Sequence, residues 1–170
     1  MELDTNEKEE ENMKKPLNTW PILAFVLFIV MPSQASSKVQ SQSELACLTD
    51  VLFFEARSEP KAGQIAVGMV VKNRIKSERY PDSICGVIKQ RTSRSCQFSW
   101  MCNKNIVKKV NSRSHTKEEE YQELKELAED ILEGKVHDNT GGATHFHANY
   151  VKPRWKLKKT AKIGNHYFYR

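Results

Sequence analysis

Four cysteines, Cys47, Cys85, Cys96 and Cys102, set the strongest constraint on how this 170-residue chain can fold. All four lie beyond an N-terminal stretch that reads as an export leader. An even number of cysteines in an exported chain implies two disulfides, for which three connectivities exist. Cys96 and Cys102 enclose a short polar and aromatic loop and are expected to pair. That leaves Cys47 with Cys85, tying the first helical segment to a later one. The competing reading is a zinc site, but the chain contains no Cys-x-x-Cys pair.

The leader itself has three parts. Residues 2–11 are mostly acidic with no apolar period and read as disordered. Lys14-Lys15 then precede an apolar run from Trp20 to Met31, followed by Pro32 and Ser33-Gln34-Ala35. This is the pattern of a secretory signal peptide, with the cut expected after Ala35. The acidic stretch ahead of it is unusual and points to Met13 as an alternative start. The other reading is an uncleaved anchor in the inner membrane, although the run is short against the roughly 20 residues of a full span. Without residues 1–35 the chain keeps 24 basic and 15 acidic side chains, a net charge of +9. Such a charge favours polyanionic partners. An exported protein meets anionic cell-wall polymers before nucleic acid, so nucleic acid is not an expected partner. Membrane contact is expected only transiently, through the leader, and the chain is expected to be a monomer.

Beyond the leader, residues 36–43 read as a Ser/Gln/Lys linker and 44–170 as one folded domain. Ser43 is suited to cap a helix reaching about Arg57, with Leu45, Leu48, Val51, Leu52 and Phe53-Phe54 at helical spacing. Pro60 ends that helix and suits the first turn of the next, over 61–77. Small Ala66 and Gly68 in that second helix allow close helix approach. A short helix is expected over 84–90. A longer one follows the capping-box pair Thr116 and Glu119 and stops at Gly134. The tail changes character: residues 144–150 and 161–169 are short and aromatic and read as two strands joined by a basic loop around Trp155. The expected fold class is α+β, mainly helical, with a small antiparallel sheet at the C-terminus.

Within this frame Glu55 stands out. It closes an apolar helical segment, and a carboxyl deprived of hydration has its pKa raised. A carboxylic acid that keeps its proton near neutral pH can donate it to a leaving group. The plainer reading is a surface residue paired with Arg57 or Lys61.

Seven fragments in sequence order decide between these readings. They are Phe54-Glu55-Ala56-Arg57-Ser58-Glu59-Pro60; Gly63-Gln64-Ile65-Ala66-Val67; Asn73-Arg74-Ile75 with Tyr80-Pro81; Ile84-Cys85-Gly86-Val87-Ile88; Cys96-Gln97-Phe98-Ser99-Trp100; Gly142-Ala143-Thr144-His145-Phe146-His147; and Ile163-Gly164-Asn165-His166-Tyr167-Phe168. With these the stretch from Leu45 to Arg170 resembles the SleB-type cell wall hydrolases. The resemblance implies a lysozyme-like helical core and action on the glycan strands of bacterial peptidoglycan, in the manner of a lytic transglycosylase. It implies Glu55 as the essential acid, and no metal or cofactor.

The remaining candidates surround that acid. Gln97, Phe98, Ser99 and Trp100 sit in the loop that a Cys96–Cys102 bridge would hold. Phe98 and Trp100 suit stacking on sugar faces or burial in the core, and Gln97 and Ser99 suit bonds to N-acetyl groups. His145 and His147 alternate along a strand and share a face. With His166 they invite a zinc reading, and zinc would mean an amidase cutting the peptide stem. The milder reading is that these histidines, with Tyr150, Asn165 and Tyr167, line the glycan cleft or position Glu55. Glu59, the nearest second acid in sequence, is expected in an ion pair with Arg57 or Lys61. A wall-binding module without catalysis is the third function class.

Overall fold

The computed structural model describes residues 34–93, 95–103, 105–106 and 118–170. The acidic start and nearly all of the expected leader lie outside these residues, as does Thr116 of the expected capping pair.

Helix α1 spans Gln34–Val51 and runs straight into a π-helical turn, Leu52–Ala56. The helix therefore begins well before Ser43, and residues 36–43 are helical where a linker was expected. No Gly or Pro interrupts 34–51, so nothing local stops a helix whose C-terminal half is anchored by packing. Pro60 follows in an extended conformation (ψ 156°) and opens α2, Lys61–Ile75. Helix α3, Ile84–Lys89, is capped by Ser83, whose hydroxyl accepts from the Gly86 N–H at 3.2 Å. A 3-10 turn covers Ser99–Cys102, and helix α4 covers Glu118–Glu133. Gly134, with φ of 77°, ends α4 in the left-handed conformation expected of a terminating glycine.

The tail holds three strands rather than two: β1, His145–Ala148; β2, Lys159–Ile163; and β3, His166–Tyr169. The stretch expected as one strand over 161–169 is a hairpin folded at Gly164-Asn165, with Gly164 at φ 55°. The sheet is antiparallel in the order β1-β3-β2. His145 pairs with Tyr169, His147 with Tyr167, and Lys162 with Tyr167 from the other side. Because side chains alternate, His145, His147, Tyr167 and Tyr169 share one face, and Phe146, His166 and Phe168 share the other.

The helices bury Leu48, Val51 and Leu52 of α1 and its π turn against Val67, Val70 and Val71 of α2 and Leu127 and Ile131 of α4. Each such side chain contributes about 1.5–3 kcal/mol. Gly68 permits this approach, since a Cβ there would collide with Ile131 Cδ1. Both expected disulfides are present: Cys47–Cys85 staples α1 to α3, and Cys96–Cys102 closes the loop around the 3-10 turn. Glu44 adds a second tie between α1 and α3, accepting from the Ile84 N–H at 2.5 Å. The sheet is held to α2 by the loop before β1. Asp138 accepts from the Thr140 and Gly142 backbone N–H groups and from Asn73 Nδ2, and Asn73 Nδ2 also donates to the Ala143 carbonyl. Burial is the largest single influence on the Asp138 carboxyl and pushes it up, but these donors together outweigh it and hold the group below its ordinary range.

Candidate active site

Glu55 lies on the π-helical turn between Phe54, which is partly buried, and Ala56, which is buried. A π turn widens the helix by one residue and so re-aims a side chain, a device common at functional sites. Burial pushes the Glu55 carboxyl above the ordinary glutamate range. Two smaller influences oppose this: the Trp100 indole as a donor, and the positive charge of Arg74. The indole forms no complete hydrogen bond, because the buried Trp100 Nε1 has no partner within bonding geometry. It is a poised donor beside the carboxyl.

Trp100 is only 7% exposed and stacks on Phe54, with ring centroids 4.7 Å apart. Phe98 is buried as well. Both rings are thus part of the core beneath Glu55, and neither offers a free face to a sugar. Gln97 and Ser99 alternate with them and are exposed. The Cys96–Cys102 bridge fixes this in-out pattern at the edge of the site.

Arg74 is the residue that the fragment reading did not single out as functional. It is buried, at the C-terminal end of α2. Its Nε donates to the Thr144 carbonyl at 2.7 Å. With the Gln97 amide oriented to match its neighbours, both terminal guanidinium nitrogens donate to the Gln97 carbonyl oxygen at 3.2 Å. The guanidinium also packs over the rings of Tyr80 and Phe98, at 5.4 and 5.6 Å. A signal was available in sequence: Val67, Val70, Val71 and Arg74 recur at helical spacing, which places the arginine on a buried face.

From Arg74 the site continues onto the sheet. The Tyr80 hydroxyl lies 3.5 Å from His145 Nε2, and His145 Nδ1 lies 3.0 Å from the Thr144 hydroxyl. Burial, followed by the charges of Arg74 and Arg79, keeps the His145 pKa below its ordinary value. His147 Nδ1 donates to the Ala148 carbonyl at 2.8 Å, which leaves Nε2 to accept from the Tyr169 hydroxyl at 2.9 Å. Trp155 lies across both histidines, 5.5 Å from His145 and 5.6 Å from His147 between ring centroids.

The other C-terminal candidates are placed differently. His166 is buried on the opposite face of the sheet, against Phe146. The three histidines therefore do not converge, and among the described residues no cluster of three or more His, Cys, Asp or Glu side chains is arranged to hold a metal ion. Asn165 sits in the β2–β3 turn and bonds Glu59, donating from its backbone N–H at 2.9 Å and its side-chain amide at 3.1 Å. Glu59 is consequently a buried anchor for that turn. It does not form the expected ion pair with Arg57 or Lys61; the nearest ionisable side chain is His166, with Nδ1 3.6 Å away, and burial keeps that imidazole below its ordinary pKa. Tyr167 is on the face of His147, and Tyr150, 84% exposed, follows β1.

Comparisons with known proteins agree with this architecture. A family model described as Cell Wall Hydrolase matches residues 58–169, a span that starts three residues after Glu55. The spore cortex-lytic enzyme of Halalkalibacterium halodurans is 26% identical over 131 residues, covering 75% of this chain and 35% of that protein. The spore cortex-lytic enzyme of Bacillus cereus is 27% identical over 131 residues, covering 75% and 44%. That of Oceanobacillus iheyensis is 39% identical over 57 residues, covering 34% and 21%. The chain thus spans less than half the length of these curated relatives. Among solved structures, the catalytic domain of the germination-specific lytic transglycosylase SleB from Bacillus anthracis superposes with a TM-score of 0.59 at 23% identity, covering 76% of this chain and 95% of that one. The catalytic domain of the Bacillus cereus SleB protein gives 0.54 at 24% identity, covering 76% and 91%. At this identity the likeness is one of fold.

Proposed function

This chain belongs to the cell wall hydrolase family, and from that premise we propose that it cleaves the glycan strands of peptidoglycan as a lytic transglycosylase with Glu55 as its acid and base. The observation that carries the reading is the setting of Glu55: one desolvated carboxyl, raised in pKa, between a poised indole donor and a buried arginine. The names of the relatives, spore cortex-lytic enzymes and lytic transglycosylase, support the same class of chemistry.

In this mechanism protonated Glu55 gives its proton to the oxygen bridging N-acetylmuramic acid and N-acetylglucosamine. The bond from muramic C1 to that oxygen breaks, and positive charge develops at C1. Glu55, now a carboxylate, takes the proton of the muramic C6 hydroxyl as that oxygen attacks C1. The product is a 1,6-anhydro sugar, Glu55 regains its proton, and no water is consumed. Arg74 and the Trp100 N–H stabilise the carboxylate formed midway, which is how one group can serve as acid and then as base. A conventional glycosidase needs a second carboxylate at the bond. Glu59, the neighbouring acid, is occupied by Asn165, which favours the single-acid route.

Mass spectrometry of digested peptidoglycan tests this. Anhydromuramic ends are expected. New reducing ends would indicate a hydrolase and free stem peptides an amidase. Intact wall with bound protein would indicate a binding module. The reading includes export through the leader over residues 1–35, transient membrane contact through that leader, and a monomeric domain over 44–170. N-terminal sequencing and sizing of the native product test these points.

A further inference from the structure

The 32 residues from Asn139 to Arg170 contain seven Lys and Arg and no Asp or Glu. All seven cations are exposed. Helix α4 has the opposite sign, with eight acidic residues and one lysine. The basic charge is therefore concentrated on the sheet and its loop, beyond what solubility requires of a chain already far from neutral.

This charge borders an aromatic platform. Trp155 is 43% exposed and rests edge-on against His145, His147 and Tyr169, with centroids 5.5 to 5.8 Å away. On the same face the ammonium groups of Lys159 and Lys162 lie 4.9 and 5.6 Å from the centre of the Tyr167 ring. The platform is continuous with the acid: Arg74 acts on Glu55, packs on Tyr80, and Tyr80 reaches His145, which Trp155 covers. These contacts, which pass through the buried Arg74, tie the platform to the part of the fold that holds the acid.

We propose that the sheet face around Trp155, Tyr167, Lys159 and Lys162 is an extended subsite that selects glycan strands still bearing peptide stems, whose free carboxylates the lysines attract while Trp155 contacts sugar rings. The inference rests on peptidoglycan being the substrate. Stem carboxylates fit better than a single fixed anion because the cations are mostly lysines. Each is a hydrated point charge on a flexible stem, with no fork to clamp one carboxylate in one geometry. Spread along the 152–162 segment, they suit a succession of mobile negative groups. Phosphate-rich wall polymers share the charge but not the sugar backbone that would continue into the Glu55 site.

The test is cosedimentation of the full-length Glu55→Gln protein with insoluble peptidoglycan, so that binding is read apart from cleavage. Three walls are compared: untreated, carboxyl-amidated with carbodiimide and ammonia, and stripped of phosphate polymers by hydrogen fluoride. Amidation is expected to weaken binding about fivefold to tenfold, the effect of two or so exposed charge contacts, and to flatten its salt dependence. Lys159→Gln/Lys162→Gln is expected to lose a similar factor on untreated wall and nothing further on amidated wall. Trp155→Ala is expected to bind every wall more weakly. Equal binding to amidated and untreated wall would overturn the proposal, as would loss of binding only after phosphate removal. Absence of anhydromuramic products from the wild-type enzyme would count against the proposed reaction and leave this binding result readable.

Discussion

The carboxylate of Glu59 and the turn residue Asn165, 106 positions apart in the chain, are joined by two hydrogen bonds of 2.9 and 3.1 Å. This pair docks the β2–β3 hairpin onto the start of α2, four residues from Glu55, and so fixes the sheet against the helical core that holds the acid.

Glu59 is consequently predicted to act on stability. Glu59→Ala removes a buried acceptor of two bonds and leaves the Asn165 donors unmatched, a loss of about 2–4 kcal/mol. Gly164→Ala attacks the same joint, because a Cβ there would overlap Glu59 Oε2 and φ is positive. Both variants should lower the thermal midpoint. If Glu59 were instead a second catalytic carboxylate, Glu59→Gln would abolish turnover with an unchanged melting curve.

Glu55 is predicted to show the reverse pattern. Glu55→Gln should reduce wall lysis by at least about 10²-fold, the usual scale for a lost general acid. Its folded-state pKa is raised, so the native protein binds this proton more tightly than the unfolded chain. That contribution to stability is present at low pH and is lost as pH rises from the ordinary glutamate value to the raised one. At neutral pH the substitution should therefore leave the protein as stable as wild type or more so, as calorimetry at pH 4 and pH 7 would reveal. Activity, which needs the protonated form, should fall with rising pH through that same raised pKa.

Arg74 tests the electrostatic part. Its charge lowers the Glu55 pKa, so Arg74→Met should move the alkaline limb of the pH–activity profile to higher pH. Stability should drop by about 3 kcal/mol as well, since the Thr144 carbonyl and Gln97 lose their donor. A variant with reduced turnover but an unmoved limb would assign Arg74 to packing alone.

The two disulfides should contribute unequally. In the chain-entropy treatment, Cys47–Cys85, whose ends are 38 positions apart, is worth about 4 kcal/mol, and Cys96–Cys102, whose ends are 6 apart, about 2 kcal/mol. Cys47→Ser/Cys85→Ser should therefore cost more denaturant resistance than Cys96→Ser/Cys102→Ser. The second pair should lose more activity relative to stability, because its loop carries Gln97 and Trp100 against the acid.

The sequence by itself determined the features written in local period and composition. The helical spacing from Leu45 to Phe54, the break at Pro60 and the stop at Gly134 yielded the helices and several of their ends, though not the early start of α1, and the short loop between Cys96 and Cys102 yielded the disulfide pairing. The ordered fragments around Glu55 and Gln97 yielded the family. Only tertiary structure decided partnership. That Glu59 serves Asn165 and leaves Arg57 and Lys61, that Phe98 and Trp100 lie under the acid with their faces covered, and that His166 turns away from His145 and His147 all follow from contacts between distant segments. The physical reason is range. Propensity and periodicity act over a few residues, whereas the environment of a carboxyl, an indole or an imidazole is set by whatever the fold brings within a few ångströms, here from up to 106 positions away.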